Sequence, residues 1–225
     1  MRISRTTLAA ATAATLAALL APAQAQAAAP DRAGETVTMT VEEAIAALPV
    51  RDEDRTGYKR TNFKHWVDAD RDGCNTRQEV LLEEALVQPE QGAGCSISGG
   101  EWYSEYDATF TDNARSLDID HRVPLAEAWD SGASAWTAAG REAYANDLGD
   151  ERSLVAVSAR TNRSKADQDP STWMPPHEGD RCQYVAYWVV VKTRWQLAVD
   201  PAEQEALYEN FNGCDTEPIQ VSLAR

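Results

Sequence analysis

The sequence predicts an α+β fold of short strands with helical insertions and C-terminal helices, stapled by disulfides. Three observations carry that prediction. Leu117-Asp-Ile-Asp-His121 alternates apolar and acidic residues with the period of a half-buried strand, and it ends just before Pro124, which cannot extend a ladder. Leu154-Val-Ala-Val157 is a second short apolar run; Ser158 then supplies a good helix N-cap, and the polar segment beyond carries Asn162, Arg163 and Lys165. The four cysteines are an even count, as a disulfide framework requires.

In chain order, residues 1–27 read as a secretory signal peptide. Arg2 and Arg5 form a positive start, Leu8 to Leu20 an Ala/Leu-rich apolar run, and Ala23-Gln-Ala25 or Ala25-Gln-Ala27 a cleavage site. The apolar run is too short to span a membrane, and the separated arginines fit the general secretory route. Residues 28–54 read as a leader, disordered over its Ala/Pro/Gly-rich stretch to residue 38, with a short amphipathic helix from Val41 to Leu48. A single domain is expected over 55–225, since 43% of residues are hydrophobic, seven are tryptophan, and no repeat or low-complexity linker follows residue 38.

Within that domain, helical patterns over Lys59 to Trp66 and Glu79 to Leu86 flank Asp68-Ala-Asp-Arg-Asp-Gly-Cys-Asn-Thr-Arg-Gln-Glu79. This stretch fits the calcium-loop template: Asp68, Asp70, Asp72 and Glu79 as side-chain ligands, Gly73 at the sharp turn and Cys74 offering its carbonyl. A solvated acidic turn explains the same residues without an ion. Glu101 to Phe110 has strand character and is expected to hairpin with the strand at 115–121. Ala126 to Asp130 and Ala138 to Leu148 read as helical insertions. Cys182 to Leu197 has Val185, Trp188, Val189 and Trp195 at helical spacing, and Pro201 to Phe211 starts another helix; their aromatics are expected in the core. Export would oxidise the cysteines. Of three connectivities, Cys74 with Cys95 and Cys182 with Cys214 close the shortest segments.

Asp120, His121 and Asn162 are the residue types that phosphodiester hydrolysis needs. A neutral imidazole takes a proton from water, while a carboxylate and an amide oxygen are hard ligands for magnesium or manganese; Arg163 and Lys165 can hold phosphate oxygens, and Asp118 tunes the site as a same-face neighbour. A lone histidine at a strand end is more often merely hydrogen-bonded; the company of Asn162-Arg-Ser-Lys165 is what points to chemistry. His65, in an apolar-periodic segment, and His177, in a loop, lack such company.

The strand-end Asp-His-x-x-Pro, the second strand and the Asn-Arg-x-Lys helix resemble the HNH class of ββα-metal endonucleases. More narrowly, Asp120-His-Arg-Val-Pro-Leu-Ala-Glu-Ala-Trp129, Asn162-Arg-Ser-Lys165 and Pro170-x-x-Trp173-x-Pro175-Pro176 are similar to its secreted branch, related to the nuclease domain of some modification-dependent restriction enzymes. The resemblance implies a metal-dependent endonuclease acting on DNA or RNA with little sequence preference and leaving 5′ phosphates. It also implies a middle asparagine supporting the loop after the first strand; spacing puts Ser153 there, with Asn146 the nearby amide. The acidic loop and the Arg77-x-Glu79 pair could also line the cleft.

The formal net charge of −15 has the wrong sign for nucleic-acid binding through bulk attraction, and loss of Arg2 and Arg5 with the signal would deepen it. A local basic patch from Arg160, Arg163, Lys165, Arg181, Lys192 and Arg194 is therefore expected, giving weak, salt-sensitive binding. No membrane and no obligate protein partner is expected. The rival reading is a secreted, calcium-stabilised binding module without catalysis; no Gly-x-Ser-x-Gly or His-Glu-x-x-His motif supports another hydrolase.

Overall fold

The computed structural model of the chain describes residues 32–215 and 217–225. The expected signal peptide lies outside them. In order the elements are β1 (Thr36–Met39), α1 (Val41–Ala47), α2 (Thr76–Glu83), β2 (Glu90–Gln91), β3 (Ile97–Ser98), β4 (Trp102–Ser104), β5 (Thr109–Thr111), β6 (Leu117–His121), α3 (Leu125–Asp130), α4 (Ala138–Ala145), β7 (Leu154–Ser158), α5 (Ala159–Lys165), α6 (Arg181–Arg194), α7 (Pro201–Phe211) and β8 (Ile219–Ser222). The mixed helix and strand composition and both expected disulfides, Cys74–Cys95 and Cys182–Cys214, are present.

All strands pair antiparallel, two by two: β1 with β8, β2 with β3, β4 with β5, and β6 with β7. In the β6–β7 pair Ile119 faces Ala156, Asp120 faces Val155 and His121 faces Leu154. Leu117, Ile119, Leu154 and Ala156 bury one side of this ribbon against Val80, Leu81 and Trp102. Its other side carries Asp118 and Asp120 beside Val155 and Val157, which join the main core. Chain reversal at Ser158, whose hydroxyl caps the Thr161 amide, lays α5 against both strands.

The main core is built on α6. Tyr184, Val185, Trp188, Val189 and Val191 recur at helical spacing, are almost fully buried, and meet α1, α7 and the aromatic group Phe63, Trp129 and Tyr144. Trp188, Trp195 and Phe211 are thus core, as expected, while Tyr208 of α7 stays exposed. Asp200 caps α7, and Pro201 fits its first turn because that position needs no donor.

Four expectations are corrected. Residues 36–38 are not a disordered leader: they belong to β1, whose Thr36 pairs with Ser222, 186 positions away, so nothing local marks the partner. Likewise α1, with Thr40 and Glu43 in a capping box, buries Val41, Ala44 and Ile45 in the domain core. The helix expected over Lys59 to Trp66 reduces to the turn Arg60–Asn62, since Phe63 turns into the core and Trp66 has a left-handed φ of 60° that no helix tolerates. Finally, β4 hairpins with β5 around Glu105–Asp107, Ala108 closing the turn at φ 52°, and β6 is left free to take β7.

The basic patch expected in the C-terminal half loses three members to the interior, Lys165, Lys192 and Arg194. Lys192 is fully buried, with Nζ 2.6 Å from Glu127 Oε1, 2.6 Å from Ser131 Oγ, 2.8 Å from the Ala198 carbonyl and 3.0 Å from Glu203 Oε2. Arg194 clamps Asp147 with two bonds of 2.7 and 2.8 Å. Removing one charge from a buried network strands the others. Lys192→Met, which keeps the length but leaves Glu127 and Glu203 without their cation, is expected to cost about 3 to 5 kcal/mol in urea unfolding; a loss below about 1 kcal/mol would contradict this account of the core.

Candidate active site

Asp120, His121, Asn162 and Arg163 line one cleft of about 310 Å³, together with Arg60, Ile119, Pro124, Leu125, Ala166 and Asp167. Residues brought from β6 and α5 therefore meet, although 42 positions separate Asp120 from Asn162 in the sequence. Alternation along β6 explains the strand's share: Asp118 and Asp120 project to the side covered by α5, where Asn162 Nδ2 lies 3.4 Å and Arg163 Nε 3.7 Å from Asp118 Oδ2.

Asp120 is only 5% exposed, and its Oδ2 is held twice, by Lys165 Nζ at 2.6 Å and the Tyr106 hydroxyl at 2.8 Å. Oδ1 accepts no hydrogen bond from any described residue, and neither does Asn162 Oδ1. Both are hard oxygens on cleft-lining side chains, a donor set that suits a small divalent ion. Lys165 itself is fully buried; a second bond, 3.0 Å to the His121 carbonyl, pins the end of β6, and Trp188 lies under its ammonium. The expected phosphate grip is thereby corrected: Lys165 has no route to a solvent-borne phosphate and serves as the counter-charge beneath Asp120. Burial lowers the Lys165 pKa, with Asp120 pulling the other way.

His121 Nε2 sits 2.9 Å from the Ala145 carbonyl, an oxygen that can only accept, so Nε2 carries the proton and Nδ1 is left as the basic nitrogen. Its ring lies 5.5 Å from Trp66 and 6.4 Å from Tyr144. Burial drives its pKa down to about 3 against the Ala145 bond, which raises it. Ser153 and Asn146 are the two positions near the expected middle asparagine. Ser153 is taken up by Asp147, whereas Asn146 locks the corner behind Ala145: its amide nitrogen donates to the Lys64 and Glu142 carbonyls, and its oxygen accepts from Val67 N and Thr76 Oγ1.

A second depression adjoins the first, lined by Arg60, Trp66, Arg77, Arg115, Leu117, Asp118, Ile119 and Asn162. Arg60, Arg115 and Arg163 are exposed, and Arg77 donates to the Ala114 and Leu117 carbonyls at the start of β6. Sequence reading missed Arg60, Trp66, Tyr106 and Ala145 as neighbours of the site; none carries a local signal, and Arg60 and Trp66 sat in a segment read as helix. Glu79 does not line the cleft. Its carboxylate lies within 4.8 Å of the Asp72 carboxylate, and those of Asp68, Asp70 and Asp72 are equally close to one another. Burial, then Asp72, raises the Glu79 pKa. Cys74 Sγ, near the same group, is in its disulfide and cannot ligate.

Three comparisons bear on this geometry. Residues 71–210 match the family model described as GmrSD restriction endonucleases, C-terminal domain, a span that includes both halves of the cleft. An uncharacterized secreted protein of Arthroderma benhamiae is 38% identical over 176 residues, covering 78% of this chain and 85% of that protein. No solved structure matches significantly.

Because the neutral imidazole is favoured in the folded state, the stability His121 contributes is fully present above its unfolded pKa near 6.5 and is lost as pH falls toward about 3. At pH 5, nitrogen-detected NMR is expected to show His121 neutral with its proton on Nε2; an imidazolium at that pH would refute the assignment.

Proposed function

The chain belongs to the family of GmrSD restriction endonuclease C-terminal domains, and we propose that it is an exported HNH-type endonuclease with a ββα-metal core, hydrolysing phosphodiester bonds of DNA with little sequence preference. One observation carries the reading: the imidazole, carboxylate and amide of His121, Asp120 and Asn162 share a single cleft. The family match, the secreted relative and the two disulfides support it.

Asp120 Oδ1 and Asn162 Oδ1 are the oxygens that would hold magnesium or manganese, which when bound would offset charge on the phosphate and on the departing 3′ oxygen. His121 Nδ1 accepts a proton from the attacking water; the Ala145 carbonyl fixes the tautomer in which that nitrogen is free. Lys165 and Tyr106 orient Asp120 from below, leaving its other oxygen toward the cleft. Arg60 and Arg163 at the cleft wall, with Arg115 beyond, meet the phosphates in place of the buried lysines. The strongly acidic remainder keeps binding weak and salt-sensitive.

A second role, calcium binding by Asp68, Asp70, Asp72, the Cys74 carbonyl and Glu79, is favoured by the convergence of those carboxylates at an exposed loop. Calcium binding is common to this reading and to its rival, a calcium-stabilised module without catalysis; the rival would bind calcium and leave nucleic acid intact.

Plasmid nicking by the oxidised protein tests the proposal. EDTA is expected to silence it and magnesium or manganese, but not calcium, to restore it. His121→Ala is expected to lower the rate by a factor on the order of 10² to 10⁴ with an unchanged circular dichroism spectrum. Full activity in that variant would remove the assigned base. Given the low His121 pKa, the acid limb of the metal-saturated rate profile should lie well below pH 6.5.

A further inference from the structure

Away from the cleft, five carboxylates from four separate segments converge on Glu53. Carboxylate oxygens of Glu53, Glu127 and Asp130 lie within 4.8 Å of one another, and so do those of Glu53, Asp169 and Asp200. Each of the last four has one oxygen engaged by the protein. Asp130 Oδ2 accepts from Arg55, Glu127 Oε1 from Lys192 and Ser131, Asp169 Oδ1 from Ser171 and Thr172, and Asp200 Oδ1 from the Glu203 amide. Glu127 also shares a hydrogen bond with the Glu53 carboxyl, while the other oxygens of Asp130, Asp169 and Asp200 receive no donor from any described residue. For Asp130 the deficit is hidden from water: its Oδ1 is buried without a partner, on a residue 8% exposed.

A buried anionic oxygen with no donor is costly, and here it stands among like charges. Arg55 and Lys192 supply two positive charges against the five carboxylates, and Lys192 is shared with Glu203. Burial, then Glu127 and the other neighbouring carboxylates, pushes the Glu53 carboxyl up to about 8. A proton shared by Glu53 and Glu127 relieves part of this charge but leaves the second oxygens of Asp130, Asp169 and Asp200 unmatched.

We infer that the Glu53 hub is a binding site for a hard divalent cation of the calcium class, with Asp130 and Glu127 on one side and Asp169 and Asp200 on the other. Oxygens up to 4.8 Å apart can be bridged by one ion at calcium–oxygen bonds of roughly 2.4 Å. The ligands are all carboxylates, without histidine or thiolate, which selects against zinc and copper. They come from loop as well as helical segments, which suits calcium's six to eight ligands better than rigid octahedral magnesium. Bound there, the ion ties the segment after α1 to α3, to the loop beyond Lys165 and to the start of α7. This site is separate from the Asp68 loop and from the cleft, so it stands whether or not the chain is a nuclease.

Calcium titration of the oxidised full chain, stripped with EDTA, tests it by calorimetry and by thermal unfolding. Glu53→Gln removes the shared ligand and, lying on an exposed segment, should leave the fold intact by circular dichroism. The expected result is loss of one calcium equivalent and a smaller calcium-induced rise in melting temperature, while Asp70→Asn removes a different equivalent. Glu53→Lys places an ammonium in the hub and is expected to raise the melting temperature of calcium-free protein. An unchanged calcium stoichiometry in folded Glu53→Gln would overturn the inference, as would Glu53→Gln raising the calcium-free melting temperature while wild type takes up no calcium that the variant lacks, the result expected if the carboxylates only share protons.

Discussion

The buried pair of Lys165 and Asp120 is the contact on which the candidate site depends. It joins the last residue of α5 to the penultimate residue of β6, and the same ammonium holds the His121 carbonyl. Such a pair contributes little net stability, because both charges surrender water, but losing either partner leaves the other stranded. Its structural effect is geometric. It forces the helix carrying Asn162 and Arg163 to lie across the strand end carrying Asp120 and His121, and it occupies one carboxylate oxygen, leaving the other without a donor among the described residues.

The same economy of charge recurs through the molecule. Lys192 beneath Glu127 and Glu203, Arg194 on Asp147, and Arg122 on Glu105 each neutralise acid inside the fold. A chain with 36 acidic and 21 basic residues thereby spends many of its cations internally. What remains exposed near the cleft is a short arc of arginines, Arg60, Arg115 and Arg163, set against an acidic surface. On the proposed function, an arc of that kind would contact a backbone locally without the long-range attraction that slows release.

Sequence legibility followed the range of the interactions. The β6 strand, the α5 cap at Ser158, α6, α7 and both disulfide pairings are governed by alternation, capping, helical spacing or short loops, and they stand where the residues indicated. The β1–β8 pairing, the loop form of residues 63–67 and the roles of Tyr106 and Ala145 rest on contacts distant in sequence, which no local pattern encodes. Lys165 shows the limit best. Its residue type and its place three positions after Asn162 suit a phosphate ligand equally well as an internal counter-ion, and only the Trp188 and Asp120 packed around it choose the second.

What the amino-acid sequence determined by itself was the set of chemical groups and their local frames: an acid and an imidazole at one strand end, an amide one turn into a capped helix, and cysteines spaced to pair. Tertiary structure alone decided which atoms of those groups are free. The Ala145 carbonyl takes Nε2 of His121, and Lys165 with Tyr106 takes Oδ2 of Asp120. The physical reason is that hydrogen-bond satisfaction in a buried setting is settled by whichever donors and acceptors the whole fold brings within reach, and those partners come from positions 106, 145 and 165.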